Sequence, residues 1–386
     1  MNNLKKVISN NVRQFGMVIA LVAIAILFQI LTNGVLLTPL NITNIIMQNS
    51  YIILLAFGML IVIITGEIDL SVGSVVAFVG AMSGVLLVNH DLPVIVGILL
   101  SLIIGAAIGA FNGFWVAYVR IPAFIVTLAS MLIFRGLTLV VLNGQTIAPF
   151  PQSFRSLSSS FLPDIFNGGS LHLLTIIIGV VLTVFFILFE YRRRQNDKKY
   201  NVETLSTPLF IAKLVIAAIV INLFTFVLAK YEGIAIVLVL IFFIYLIYTS
   251  IMNKTVMGRH IYAVGGNENA AKLSGIKTSN VKFWVFVNMG ILAALAGLIF
   301  AGRLNAATPQ AGTGFELDAI AAAVIGGASM TGGVGTVFGA VIGALVMGIL
   351  NNGMSIMGIG IDWQQAIKGL VLLAAVTFDI LYKKKK

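Results

Sequence analysis

Tyr51–Leu70 reads YIILLAFGMLIVIITGEIDL: residues 51–66 carry no charged side chain, and then Glu67 and Asp69 stand one residue apart. A surface helix of a soluble protein interrupts its apolar positions with polar ones on the opposite face. This run does not. With the residues before it, the run predicts a membrane span over 44–65, close to the roughly 20 residues a bilayer requires. The acids at its end then lie at or near membrane depth.

Working outward, comparable apolar segments fall at 15–32, 68–88, 93–117, 121–142, 171–190, 208–229, 234–251, 282–302, 316–329, 335–350 and 363–382. Hydrophobic residues make up 59% of the 386, and charged residues only 10%. Soluble domains hold charges near a quarter of their composition, so the solvent for most of this surface is lipid. The fold class expected is all-α: one polytopic transmembrane bundle over 1–386, with ten to twelve spans. The segments 68–88 and 316–329 each follow an acidic pair, and either suits a broken or re-entrant helix.

The net charge of +11 would raise nucleic acid as a partner in a soluble protein. Here the basic residues sit in short runs between apolar segments, which reads as topology and not as a phosphate-binding face. If all twelve segments cross, 18 of the 24 Lys and Arg fall on one side: Lys5, Lys6 and Arg13, then Arg120, the stretches 190–207 and 252–282, and Lys383–Lys386. Arg155, Lys230 and Arg303 fall opposite, while Arg135, Lys213 and Lys368 lie within span boundaries. The positive-inside rule makes the rich side cytoplasmic, with both termini on it. The first apolar run is long for a signal peptide and lacks a small-residue cleavage site, so it reads as an uncleaved span. The chain has no cysteine, which removes disulfides and thiolate-ligated metals.

Three polar stretches stand out. Residues 143–170, rich in Ser, Pro and Gly, form an external loop suited to meeting something outside. The central helices of 171–251 enclose a basic cytoplasmic loop at 191–199. Residues 252–281 form the longest cytoplasmic stretch, and Asn267–Gly275 within it has Asn at its start, Glu268 in the first turn and Gly at its end. That pattern predicts a short capped helix, too short to stand without a partner surface.

Glu67-Ile68-Asp69 and Glu316-Leu317-Asp318 each open an apolar segment that ends in a Gly-rich turn. Each is followed by glycines at every fourth position, Gly105, Gly109 and Gly113 in one case and Gly335, Gly339 and Gly343 in the other. An Asn-Gly pair follows in both, Asn112-Gly113 and Asn352-Gly353. The two segments run in opposite directions in the expected topology, which is the pattern of an inverted repeat; Gly-rich spans also resemble one another by chance. The glycine rows read as close helix-packing surfaces. The four acids read either as caps on broken helices or as an ion relay, with capping favoured because no buried cation is obviously placed to complete a relay.

His90, His172 and His260 are scattered, which argues against a metal site. No Gly-x-x-x-x-Gly-Lys-Ser/Thr loop occurs, and no nucleophile–base constellation is visible, so no enzyme activity and no bound cofactor are expected of this chain. Amides and aromatics at span ends, Asn112, Trp115, Asn351, Asn352, Trp363 and Gln364, are candidate solute contacts, with interfacial anchoring the competing reading for both tryptophans.

Several stretches resemble one family. Gly66–Ser74 (GEIDLSVGS), Ile121–Leu128 (IPAFIVTL), Arg135-Gly136, Gly258–Ile276 (GRHIYAVGGNENAAKLSGI), Glu316–Ala322 (ELDAIAA) and Val324–Gly327 (VIGG) are similar to the ABC transporter permeases for ribose, xylose, arabinose and galactose. The extra central segment, about 171–250, and Asn352–Ser355 look most like the xylose-type branch. The resemblance implies a bacterial cytoplasmic-membrane homodimer of permeases, an ATPase binding ATP and Mg on the cytoplasmic side, and an external sugar-binding protein. It also implies that Asn267, Glu268, Asn269, Ala270, Lys272, Leu273, Ser274 and Gly275 form the helix that couples to the ATPase. Alternating access would then follow ATP-driven closure of the ATPase pair. The rival readings are an ion-coupled carrier using Glu67, Asp69, Glu316 or Asp318, a passive channel, and an ABC permease for a nucleoside or another small polar solute.

Overall fold

The computed structural model describes residues 12–384, apart from positions 167, 170, 201 and 203, and describes only the backbone of 12–15 and 378–384. Of the expected topology signals, Lys5, Lys6, Lys385 and Lys386 lie outside the described residues. Fifteen α-helices are described: α1 (Val12–Leu31), α2 (Pro39–Ile64), α3 (Val72–Gly84, continued by a π-turn over Val85–Asn89), α4 (Val94–Ala117), α5 (Ala123–Leu142), α6 (Gln152–Ser159), α7 (Leu173–Lys199), α8 (Thr207–Ala229), α9 (Ile236–Lys254), α10 (Val256–Gly266), α11 (Glu268–Leu273), α12 (Thr278–Leu304), α13 (Phe315–Ile325), α14 (Val337–Ile356) and α15 (Ile361–Lys384). Only two isolated β-bridges accompany them among the described residues.

Every expected span coincides with a helix. Among the described residues nine helices are long and apolar enough to cross a bilayer: α2, α3 with its π-turn, α4, α5, α7, α8, α9, α12 and α14. At 11 residues, α13 measures ~16 Å at 1.5 Å per residue, half the hydrocarbon thickness. It is a half-helix, as its length in the sequence allowed.

Three polar stretches hold more helix than their composition suggested. The basic run 191–199 is not a loop: α7 continues through it to Lys199. Arg, Lys and Gln are good helix formers, and cations in a last turn suit the carbonyl end of the dipole. The 143–170 loop contains α6, whose Phe154 is buried beside Phe150 and beneath Gly302 of α12. Within 252–281, α10 precedes the expected short helix, with the Thr255 hydroxyl capping its Gly258 N–H at 3.2 Å.

The core is organised around α2 and α12. Phe57, Leu54, Leu55, Met59 and Leu60 of α2 and Phe286 and Met289 of α12 are fully buried. Gly58 leaves room for the Met289 side chain, since a Cβ there would sit 2.5 Å from its sulfur. On the far side of α12, a Cβ at Gly105 or Gly109 of α4 would meet α12 backbone at 2.5 and 2.3 Å, and one at Gly113 would meet it at 2.9 Å. The first glycine row is therefore where α4 lies directly on α12. The second row holds α14 in place: Gly335 sits on Leu60 and Ile64 of α2, Gly339 on the Gly326 carbonyl, and Gly343 on the Ala322 carbonyl of α13.

The hairpin α7–α8 stands apart. Its two helices hold each other through Asn222 Nδ2 donating to Thr183 Oγ1 at 2.8 Å, and through a 2.7 Å ion pair between Lys213 and Glu190. Val180, Val181, Val184 and Phe185 on α7 and Ile216, Ile219, Val220 and Leu223 on α8 are exposed. A face this apolar suits lipid and not water. Lys213 thus finds an acid on the neighbouring helix and need not snorkel away from it.

Candidate translocation site

α12 serves as a ruler through the membrane. α3 runs beside it in the same direction, with Gly80 against Ala301 and Gly84 against Ala307. Below, Asp69, Ser71 and Val72 are level with Met289, Gly290 and Ala293, halfway along α12. The helical part of this span therefore begins in mid-membrane, and residues 65–71 climb to that level without helical structure. Gly66, at φ +81°, makes the turn that leaves α2.

The other half-helix begins at the same level. A Cβ on Gly73 would meet the Gly312 carbonyl at 2.2 Å and a Glu316 carboxylate oxygen at 2.4 Å. From there α13 descends, and the turn after it reaches the end of α2, where the Gly333 N–H donates to the Ile64 carbonyl at 2.8 Å. α3 and α13 thus leave the midplane in opposite directions with their amino ends in contact. Both positive dipole ends point into the bilayer centre, where discontinuous helices of transporters place solute sites.

The four acids divide into different roles. Asp69 is buried, and its Oδ1 accepts from the backbone N–H and hydroxyl of Ser71 at 2.8 and 2.6 Å, an Asx turn ahead of α3. Asn112 of α4 donates to the same Ser71 hydroxyl at 3.0 Å. Glu67, nearer the end of α2, is paired with Lys282 at 2.7 Å. Asp318 in the first turn of α13 meets Lys368 of α15 at 3.0 Å, and Glu316 lies against Gly73.

Arg135, twelve residues into α5, donates to the Ala311 carbonyl at 2.6 Å, holding the unwound segment 305–314 where it dips into the membrane. The sequence reading placed no cation near these acids. It missed Lys282, Lys368 and Arg135, although a lone arginine within an apolar span is itself a functional signal.

Asn351 lies against Asp318. Asn352 exchanges two amide hydrogen bonds with buried Asn41 of α2, at 2.8 and 3.1 Å. Trp115 and Trp363 are both exposed, Trp363 by 71% of its surface, a placement suited to an interfacial belt. Gln364 turns its amide to the Ile359 carbonyl at 2.8 Å. The midplane site thus combines Asp69, Asn112, Glu316 and Asp318 with Ser71 and Arg135, while Asn352, Trp115, Trp363 and Gln364 lie elsewhere. The gap between Asp69, Asn112 and Gly290 has no room for a water molecule. Among the described residues no group of three His, Cys, Asp or Glu could hold a metal ion.

On the basic face, the expected short helix is present as α11. Asn267 Oδ1 accepts from the Ala270 N–H at 2.9 Å, and Gly275 closes the helix at φ +85°. Leu273 is 90% exposed at its tip, and Lys272, Asn269 and Glu268 line a cavity of about 720 Å³ together with Arg120 and Lys282. Desolvation pushes the Glu268 carboxyl upward, but the Lys282 ammonium, Thr278 and Arg120 outweigh it and hold it below the usual carboxylate range.

Residues 41–376 match the family described as "Branched-chain amino acid transport system / permease component". The chain is 39% identical to the xylose transport system permease protein of Haemophilus influenzae, over 98% of this chain and 99% of that one. It is 38% identical to the xylose transport system permease protein of Escherichia coli, over 98% and 94%. It is 37% identical to the ribose import permease protein of Escherichia coli, over 95% and 93%. No solved structure matches.

Proposed function

The chain belongs to the "Branched-chain amino acid transport system / permease component" family, and from that premise we propose that it is the membrane-spanning subunit of an ATP-driven importer of xylose or a related monosaccharide. The observation that carries this is near-full-length identity to permeases named for xylose and ribose. The family description names amino acids, but every relative named above is a pentose permease.

In this reading the basic face is cytoplasmic, as are both termini, and the protein sits in a bacterial inner membrane as a homodimer. ATP and Mg reside on a separate ATPase. α11 seats in that ATPase: it is short, capped at both ends, and presents Leu273 to the outside, where an apolar side chain has no reason to stay bare. A sugar-binding protein meets the face formed by 143–170. Closure of the ATPase pair displaces α11 and opens the path alternately to each side. The amino end of α3 and the unwound segment 65–71 are the parts that rearrange, because residues 68–70 make no backbone N–H hydrogen bonds among the described residues.

The test is co-purification of the tagged protein from its native membrane, beside a Glu268→Arg, Leu273→Asp variant. The expected outcome is an ATPase retained by the first and lost by the second. An intact wild-type protein that retains no ATPase in several mild detergents would overturn the reading.

A further inference from the structure

One ammonium on the basic face holds two carboxylates that belong to different moving parts. Lys282 Nζ is 2.7 Å from Glu67 and 2.7 Å from Glu268. Glu268 is the first residue of α11. Glu67 is in the unwound segment that climbs to Asp69, Ser71 and the midplane start of α3. The Lys282 side chain is only 14% exposed and Glu67 18%, whereas Glu268 is 46% exposed. The inner half of this bridge is therefore shielded from water, and its charges attract more strongly than surface pairs do.

Backbone packing reinforces the same junction. A Cβ on Gly265, at the end of α10, would fall 1.6 Å from the Ile64 carbonyl and 2.7 Å from the Gly333 nitrogen. Tyr262 of α10 donates to the Gly335 carbonyl at 2.8 Å. The helix pair α10–α11 consequently touches the cytoplasmic ends of both broken spans: 64–67 leads to α3, and 332–335 follows α13. On both sides the contact is glycine on backbone, Gly265 against Ile64 and against Gly333. The α3 side alone adds an ion bridge, through Glu67, that reaches past the end of α2 into the unwound segment.

We propose that Lys282 is a positioning residue for transport, the link through which displacement of α11 pulls residues 65–71 and so moves the midplane end of α3. This rests on the assignment of α11 as the ATPase-docking helix and names how its motion reaches the path. A chain of two ion pairs in series has a property that a docking surface lacks. Cutting it at Lys282 or Glu67 breaks the pull on residues 65–71, while α11 keeps its docking residues and the ATPase stays bound.

The test uses the full importer in its native membrane, with radiolabelled D-xylose as probe and D-ribose as the second probe. Lys282→Met should keep the bound ATPase within twofold of wild type and stay monodisperse, yet lower sugar uptake at least tenfold. Lys282→Arg, which preserves the charge, should retain at least half of the uptake. Glu67→Gln should lower uptake to a similar extent, and the double variant Glu67→Gln, Lys282→Met should be no worse than either alone. Uptake within twofold of wild type in Lys282→Met would overturn the link, and so would loss of the ATPase in step with uptake, or no recovery in Lys282→Arg. If wild type itself retains no ATPase, the docking assignment falls, and this link with it.

Discussion

The two half-helices meet at the same level but are held there by opposite means. α3 is capped by its own neighbouring residues: Asp69 lies before the helix and is satisfied by Ser71, with Asn112 of α4 donating to the Ser71 hydroxyl from outside. α13 carries its acids inside the first turn, and Asp318 depends on Lys368 of α15, fifty residues away. The first half-helix therefore keeps its cap wherever it moves. The second is tied to α15 by an ion pair between buried Asp318 and half-buried Lys368, and Arg135 fixes the segment that feeds it. The contrast suggests a division of labour in which α3 moves and α13 anchors.

Breaking the anchor should have the largest effect. Asp318→Ala leaves half-buried Lys368 without its acid; removing one partner of a fully buried pair costs ~3–5 kcal/mol, and a loss of ~3 kcal/mol is expected here. Thermal unfolding in detergent should show the loss, and Lys368→Met placed on top should recover part of it. Asn352→Ala, which leaves the buried Asn41 amide oxygen unpaired while its Nδ2 still donates to the Leu36 carbonyl, should cost about 2 kcal/mol by the same measurement. Asp69→Ala removes a local cap and should cost about 1 kcal/mol, so a loss as large as that of Asp318→Ala would erase the proposed contrast. Glu190→Gln in the lipid-facing hairpin removes a pair whose lysine is 42% exposed, and should change stability by less than ~1 kcal/mol.

Spans, glycine rows and the capped helix at 267–275 were legible because each rests on local rules: apolar length, residue spacing and cap chemistry. Gly105, Gly109 and Gly113 show this well, since spacing alone put them on one face. Their partner Gly290 was not legible, because the glycines of α12, at 290, 297 and 302, do not recur at every fourth position. Pairing across the fold was equally hidden. Lys282 looked like one more topology signal and Lys368 like a span-edge charge, because Glu67 and Asp318 reach them only after the chain has folded back. The helix in 191–199 was missed for the reverse reason: its charges were read as topology alone, although the same residues favour helix.

The reading of this chain as an ATP-driven sugar permease is tested most directly by D-xylose uptake into proteoliposomes holding the purified permease–ATPase complex. The sugar-binding protein is supplied inside or outside the vesicle according to orientation, and proton and sodium gradients are collapsed. The account predicts uptake that requires ATP and persists without either gradient. Uptake that ignores ATP and stops when the gradients are removed would contradict it, and would make Glu67, Asp69, Glu316 and Asp318 the carriers of an ion-coupled mechanism.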